Sequence, residues 1–174
     1  MRGHPLPIIC ALAFSAGAAR AQPAAPPPAD VVASPSDPSG LIVSASLAAG
    51  GETGMSKGKA GLLELEVAGG WEHVPSRLRP ELAIAIGVAP ENSIAVRPGL
   101  RAGLGEVPVW LRAAVDFSNA RDHGLHARWL LFGAAWELRV NTLLAFDLGL
   151  DFGVPLSSSA GVPLMLRGGG TFRL

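Results

Sequence analysis

From residue 41 to its last residue the chain alternates apolar and polar side chains with a period of two, and the polar side interleaves glycine and alanine with charges of both signs. A period of two is strand geometry, because successive Cβ atoms point to opposite faces. Residues 81–89 show it most cleanly: Leu82, Ile84, Ile86 and Val88 face one way, and Glu81, Ala83, Ala85 and Gly87 the other. Segments 41–49, 62–71, 94–104, 107–118, 142–154 and 162–174 repeat the pattern. Segment 127–139 has the composition but an ambiguous phase, with Leu130, Phe132, Trp136 and Leu138 on an apolar face and Glu137 and Arg139 on a polar one. A helix over 129–144 is the competing reading. Glycine and alternation on both sides of that run favour a strand, and no stretch of about eighteen uncharged apolar residues occurs.

Eight such segments fit two architectures that bury opposite faces. A soluble barrel of the lipocalin type turns its apolar side inward around a ligand; a transmembrane barrel turns it to lipid and fills a narrow interior with small and charged groups. The polar side decides. Glu64, Glu66, Glu81, Arg97, Arg101, Arg112, Asp116, Glu137, Arg139, Asp147, Asp151 and Arg167 are separated mainly by Gly and Ala. Isolated charges in an eight-stranded interior are costly, so near balance between acids and arginines predicts a cross-lumen ion-pair network. Arginine suits it because its planar fork grips carboxylates bidentately. The expected fold is therefore an all-β, eight-stranded, antiparallel, up-and-down transmembrane barrel over 41–174, with ~17 residues per strand and connection.

The amino terminus sets the compartment. Arg2 and His4 precede an apolar run at 8–19, and Ala19-Arg20-Ala21 supplies a small-x-small site. This reads as a secretory signal, residues 1–21, cleaved after Ala21. The apolar run is too short for a span that needs ~20 residues. Cys10, the one cysteine, leaves with the signal. No disulfide, thiolate metal site or thiol nucleophile is then available. Residues 22–40 are rich in Pro, Ala and Ser and read as an extended periplasmic linker. The mature chain keeps twelve Lys and Arg against fourteen Asp and Glu, which makes no electrostatic case for nucleic acid.

The closing segment adds a signature. Arg167, Gly169, Phe172 and Leu174 place a polar residue, a glycine two further on, and two hydrophobic residues at alternate positions ending the chain. This is similar to the closing strand of bacterial outer-membrane barrels, and residues 41–174 resemble the small eight-stranded members of the OmpA transmembrane-domain and OmpX kind. The resemblance implies a protein of the outer membrane, monomeric, recognised by the barrel assembly machinery during biogenesis, surrounded by outer-membrane lipid and touching lipopolysaccharide. It also implies both barrel ends on the periplasmic side. The inner turns are then expected at 72–80, 105–106 and 140–142, and the outer loops at 50–61, 89–93, 118–125 and 155–161. Trp71, Phe117, Phe152 and Phe172 fall near strand ends, as interfacial anchors do.

Candidate chemistry is thin. Asp122, His123 and His126 form the one histidine-bearing cluster, short of the ligands a strong metal site needs. Ser118 with His123 or His126 and Asp116 has the residue types of nucleophilic catalysis. No histidine is followed by the His-x-Ser spacing of lipid-A-deacylating barrels. The glycine-rich stretches lack the Lys-Ser/Thr of a phosphate loop. The expectation is a structural or surface-interaction barrel with a plugged, charged interior, no cofactor, no metal and no catalysis. Small-solute transport is the alternative.

Overall fold

The computed structural model describes residues 39–55, 58–90, 92–119, 124–158 and 160–174. The alternating segments become eight strands: β1 (Gly40–Met55), β2 (Gly58–Glu72), β3 (Leu78–Ala89), β4 (Ser93–Gly103), β5 (Val109–Ser118), β6 (His126–Arg139), β7 (Leu144–Pro155) and β8 (Val162–Arg173). Each strand pairs antiparallel with its sequence neighbours, and β8 returns to β1 from Ile42↔Arg173 to Thr53↔Val162, so the sheet closes on itself. Closure leaves no edge strand. The end carrying the β2–β3, β4–β5 and β6–β7 turns is called inner below, and the opposite end outer.

The molecule is apolar outside and charged inside. Leu47, Leu82, Leu148 and Trp136 are more than half exposed, whereas Ala83, Glu66 and Arg97 are almost fully buried. Such a belt, continuous around the barrel, far exceeds the apolar patches that water-exposed proteins tolerate. Lipid is the solvent it fits. In a bilayer core only helices and closed barrels pair all their backbone groups, and this chain takes the second solution. Both the eight-stranded barrel and its transmembrane type thus follow from pairing and polarity together.

Several boundaries differ from the sequence reading. The first outer loop, expected at 50–61, is mostly ladder: Gly50↔Leu62, Gly51↔Gly61 and Glu52↔Ala60 extend the β1–β2 pair well beyond its expected end. Glycine and alanine there carry no hydrophobic contrast, so alternation was invisible although the pairing persists. The inner turn expected at 72–80 shrinks, because Glu72 ends β2, Leu78 begins β3 and a His73↔Leu78 bridge closes between them. The turn expected at 105–106 lengthens to 104–108, with the N–H of Leu104 donating to Val109 O at 2.9 Å. The remaining outer connections lie close to their expected positions. The turn after β6 is an Asx turn: Asn141 Oδ1 accepts from the N–H groups of Leu143 and Leu144 at 2.8 and 2.7 Å. The signal and its cleavage site at Ala21, and all but the last two residues of the linker, lie outside the described residues.

Segment 127–139 is a strand with its phase resolved by a bulge. Asp116 pairs with Trp129 but Phe117 pairs with Ala127, leaving Arg128 as the extra residue. A bulge re-aims side chains locally. Arg128 and Trp129 are consequently both buried, and the regular alternation resumes with Leu131, Ala135 and Glu137 inward. A period-two reading cannot hold one phase across that site.

The inside-out arrangement predicts that Leu148→Arg, on the lipid face of β7, destabilises the barrel by ~2–4 kcal/mol in denaturant titrations from phospholipid vesicles. A water-soluble barrel would tolerate arginine at so exposed a position with little change.

Candidate functional site, the charged lumen

Inward positions of neighbouring strands fall at common levels along the barrel axis, so charges far apart in sequence meet there. At the inner end, Glu72 of β2 and Glu137 of β6 share three arginines. Arg79 reaches both, at 3.0 and 3.1 Å. Arg173 of β8 also reaches both, each at 2.9 Å, and Arg139 does so at 3.3 Å. The Arg79 guanidinium lies 4.0 Å from the centre of the Trp110 ring, which adds a cation–π contact to a desolvated charge.

The middle of the lumen is denser. Arg97 of β4 holds three carboxylates: Glu64 and Asp116, each at 2.7 Å, and Glu66 at 3.0 Å. Arg112 of β5 joins Glu66 and Glu81 at 2.8 Å to Asp151 at 3.4 Å. Arg101 bridges Glu81 at 2.7 Å and Asp147 at 3.2 Å. Arg167 of the closing strand sits 3.2 Å from Asp151 and 3.7 Å from Glu66. The network thus spans β2, β3, β4, β5, β7 and β8. Gly133 gives it room: a Cβ there would land on the Asp151 carboxylate.

Towards the outer end the lumen turns apolar. Ala48, Leu62, Ala114, Trp129, Leu131 and Met165 pack into one buried cluster. A polar clasp joins it. Arg128 pairs with Glu52 at 2.8 Å, Glu52 accepts the Gly161 N–H at 2.5 Å, and Trp129 Nε1 donates to Gly161 O at 2.9 Å. The clasp ties the β7–β8 connection to β1 and β6, and Arg128 lies 4.0 Å from the Trp129 ring centre. An apolar layer therefore lies over the charged lattice at the outer end of the described lumen.

Glu64, Glu66, Glu81, Arg97, Arg101, Arg112, Asp116, Glu137, Asp147, Asp151 and Arg167 all lie within this lumen, joined by the contacts given above. Arg139 is different: its side chain is 39% exposed, so it stands at the inner rim and leans onto Glu72 and Glu137. Five further lumen charges escape the sequence reading. Glu52, Glu72 and Arg79 fall in stretches expected to be connections, Arg128 in the bulge, and Arg173 beside the terminus. Of the closing signature, Arg167 points inward, Gly169 pairs with Ser46 and Asp147, Phe172 faces outward, and the Leu174 N–H donates to Leu41 O at 2.8 Å.

Among the described residues the candidate catalytic groups lie near one another without forming a Ser–His–Asp chain of contacts. Ser118 and His126 face each other across β5 and β6, but Asp116 is held by Arg97 and His126 Nδ1 lies 3.2 Å from Gly124 O. Among the described residues no group of three His, Cys, Asp or Glu is placed to hold a metal ion. Asp122 and His123 lie outside them.

Solved structures share the architecture. Neisserial surface protein A superimposes with a TM-score of 0.58 at 12% identity, covering 76% of this chain and 96% of that one. The fold is that of a small outer-membrane barrel. Ail of Yersinia pestis aligns over 78% of this chain and 99% of its own at 12% identity, with a TM-score of 0.45. A de novo designed transmembrane barrel aligns over 79% and 97% at 15% identity, with a TM-score of 0.47. No protein-family model and no curated protein sequence matches the chain.

Removing one member of a buried ionic lattice strands its partners. Arg97→Met should therefore destabilise the barrel by ~3–5 kcal/mol, read as a lowered urea midpoint for folding in vesicles.

Proposed function

We propose that this chain is an integral protein of the bacterial outer membrane, exported through the signal at 1–21, with a sealed lumen and a structural or surface-interaction role. The observation that carries the reading is the lumen itself: a guanidinium–carboxylate lattice under an apolar layer and a polar clasp, inside a belt of lipid-facing side chains. Eight strands leave an interior just wide enough for side chains, and here it is filled. Likeness to Neisserial surface protein A supports the outer-membrane location.

With the described lumen filled by side chains, recognition on this reading falls to the outer connections. The partners proposed are outer-membrane lipid, lipopolysaccharide at the outer rim, and the barrel assembly machinery acting on Arg167, Gly169, Phe172 and Leu174 during insertion. The protein acts as a monomer, without catalysis and without nucleic acid.

Two measurements test this. In planar bilayers the purified barrel should give no steady conductance; stable ion currents would replace the sealed barrel with a transport module. In cells, the mature chain has no native cysteine, so single cysteines report topology. Ser158→Cys at an outer connection should react with a membrane-impermeant maleimide on intact cells. Ser76→Cys at an inner turn should react only after permeabilisation. The reverse pattern, or recovery of the protein in the soluble periplasm, would defeat the proposal.

A further inference from the structure

The inner rim is not uniform. β6 continues to Arg139, but its last pair with β5 is Val109↔Trp136, because the 104–108 turn delays the start of β5. Between that turn and the base of β6 lies a crevice of about 510 Å³, whose charged lining is Arg77, Arg139, Glu106 and the lattice carboxylates Glu72 and Glu137, and whose apolar walls include Trp110, Trp136 and Leu138. Its two walls differ in character. Trp136 and Leu138 belong to the lipid-facing surface, 57% and 62% exposed, whereas Trp110 is a buried lumen residue. The crevice is therefore a place where the hydrophobic belt opens sideways onto charged groups.

Arg77 is built into this crevice. It is a non-glycine residue with φ of 50°, in the left-handed region that side chains seldom adopt, and such strain is retained where surrounding structure fixes it. Two contacts fix it. Gly103 N–H donates to Arg77 O at 2.8 Å, and the Arg77 side chain lies across Gly103, where an added Cβ would come within 2.6 Å of Arg77 Nε. The guanidinium then sits 5.3 Å from the Trp110 ring centre and donates to Val107 O at 3.3 Å. Among the described residues it has no carboxylate partner, unlike the other arginines of the inner end, since Glu72 and Glu137 are shared by Arg79, Arg139 and Arg173. Glu106, on the turn across the crevice, is exposed and also lies outside the ion-pair network.

We infer that this crevice binds one phospholipid of the inner leaflet through a headgroup that carries both a phosphate and an ammonium. The phosphate lies against Arg77 with Arg139 beside it, the ammonium lies against Glu106, and the first acyl carbons run along Trp136 and Leu138. Mixed-sign lining matches a zwitterionic headgroup better than an anionic one. The volume lies within the range of small-molecule sites. Tryptophan at this depth is a usual interfacial anchor, and basic pockets at the rim of a membrane protein commonly hold headgroups. The assignment rests on the membrane-spanning reading given above.

The test is native mass spectrometry of the full mature barrel, folded into mixed nanodiscs of phosphatidylethanolamine and phosphatidylglycerol and then released into detergent. Wild type should retain one phosphatidylethanolamine. Arg77→Asn, chosen because asparagine accepts the left-handed backbone, should retain about fivefold less, the factor expected for one arginine at a lipid headgroup. Glu106→Gln should keep phospholipid binding but lose the preference for phosphatidylethanolamine over phosphatidylglycerol. A heat-shifting, folded band on a gel must accompany each variant. Lipid adducts indifferent to Arg77→Asn in a properly folded barrel would overturn the site alone. Full displacement of lipid by inorganic phosphate would overturn it in favour of a free-anion site. A chain that folds without lipid or detergent would instead overturn the membrane reading beneath it.

Discussion

Inside a hydrocarbon layer an unpaired backbone N–H or C=O costs several kcal/mol, and that constraint organises everything else in this molecule. Meeting it with strands requires closure, and closure requires β8 to register against β1 along its whole length, from Ile42↔Arg173 to Thr53↔Val162. Once the sheet is closed, the pleat leaves every second side chain facing lipid and every other one facing a lumen too narrow for bulk water. The charged interior is a consequence of that geometry as much as of composition.

Burying so many ions is expensive unless each finds more than one partner. Arg97 with three carboxylates and Arg112 with three show how the cost is offset. Because these contacts link non-adjacent strands, they also fix the barrel's cross-section. The apolar layer around Trp129, Leu131 and Met165 does the same at the outer end by packing. A lumen held from both ends in this way fits the scaffold role proposed above, in which recognition falls to the connections and rims. The inner rim departs from that rule where β5 starts late and Arg77 stands apart from the lattice.

The sequence made the strands and faces readable wherever polarity contrast is strong. In 81–89 and 144–154, apolar and small or charged residues alternate without interruption, and the observed burial follows them. Legibility failed where contrast is absent or the register slips. Gly50, Gly51 and Gly61 continue a ladder without any hydrophobic marker, which hid Glu52 from the list of lumen charges. The bulge at Arg128 shifts the phase of β6, which hid both Arg128 and the burial of Trp129. Glu72 and Arg79 were lost for a third reason, since a Pro-containing stretch reads as a turn although β2 and β3 carry on into it.

By itself the sequence determined the number of strands, which face is apolar, and that the polar face carries nearly matched acids and arginines, because these are properties of local order along the chain. Tertiary structure decided which charges meet. Arg97 is separated by dozens of positions from Glu64 and Glu66, and Arg173 by a hundred from Glu72, so their pairing depends on barrel closure and strand stagger. It also decided that Arg77, alone among the described arginines of the inner end, is held without an ion pair beside a lipid-facing crevice, since that depends on where one turn ends relative to a neighbouring strand. Local alternation sets orientation; only closure sets distance.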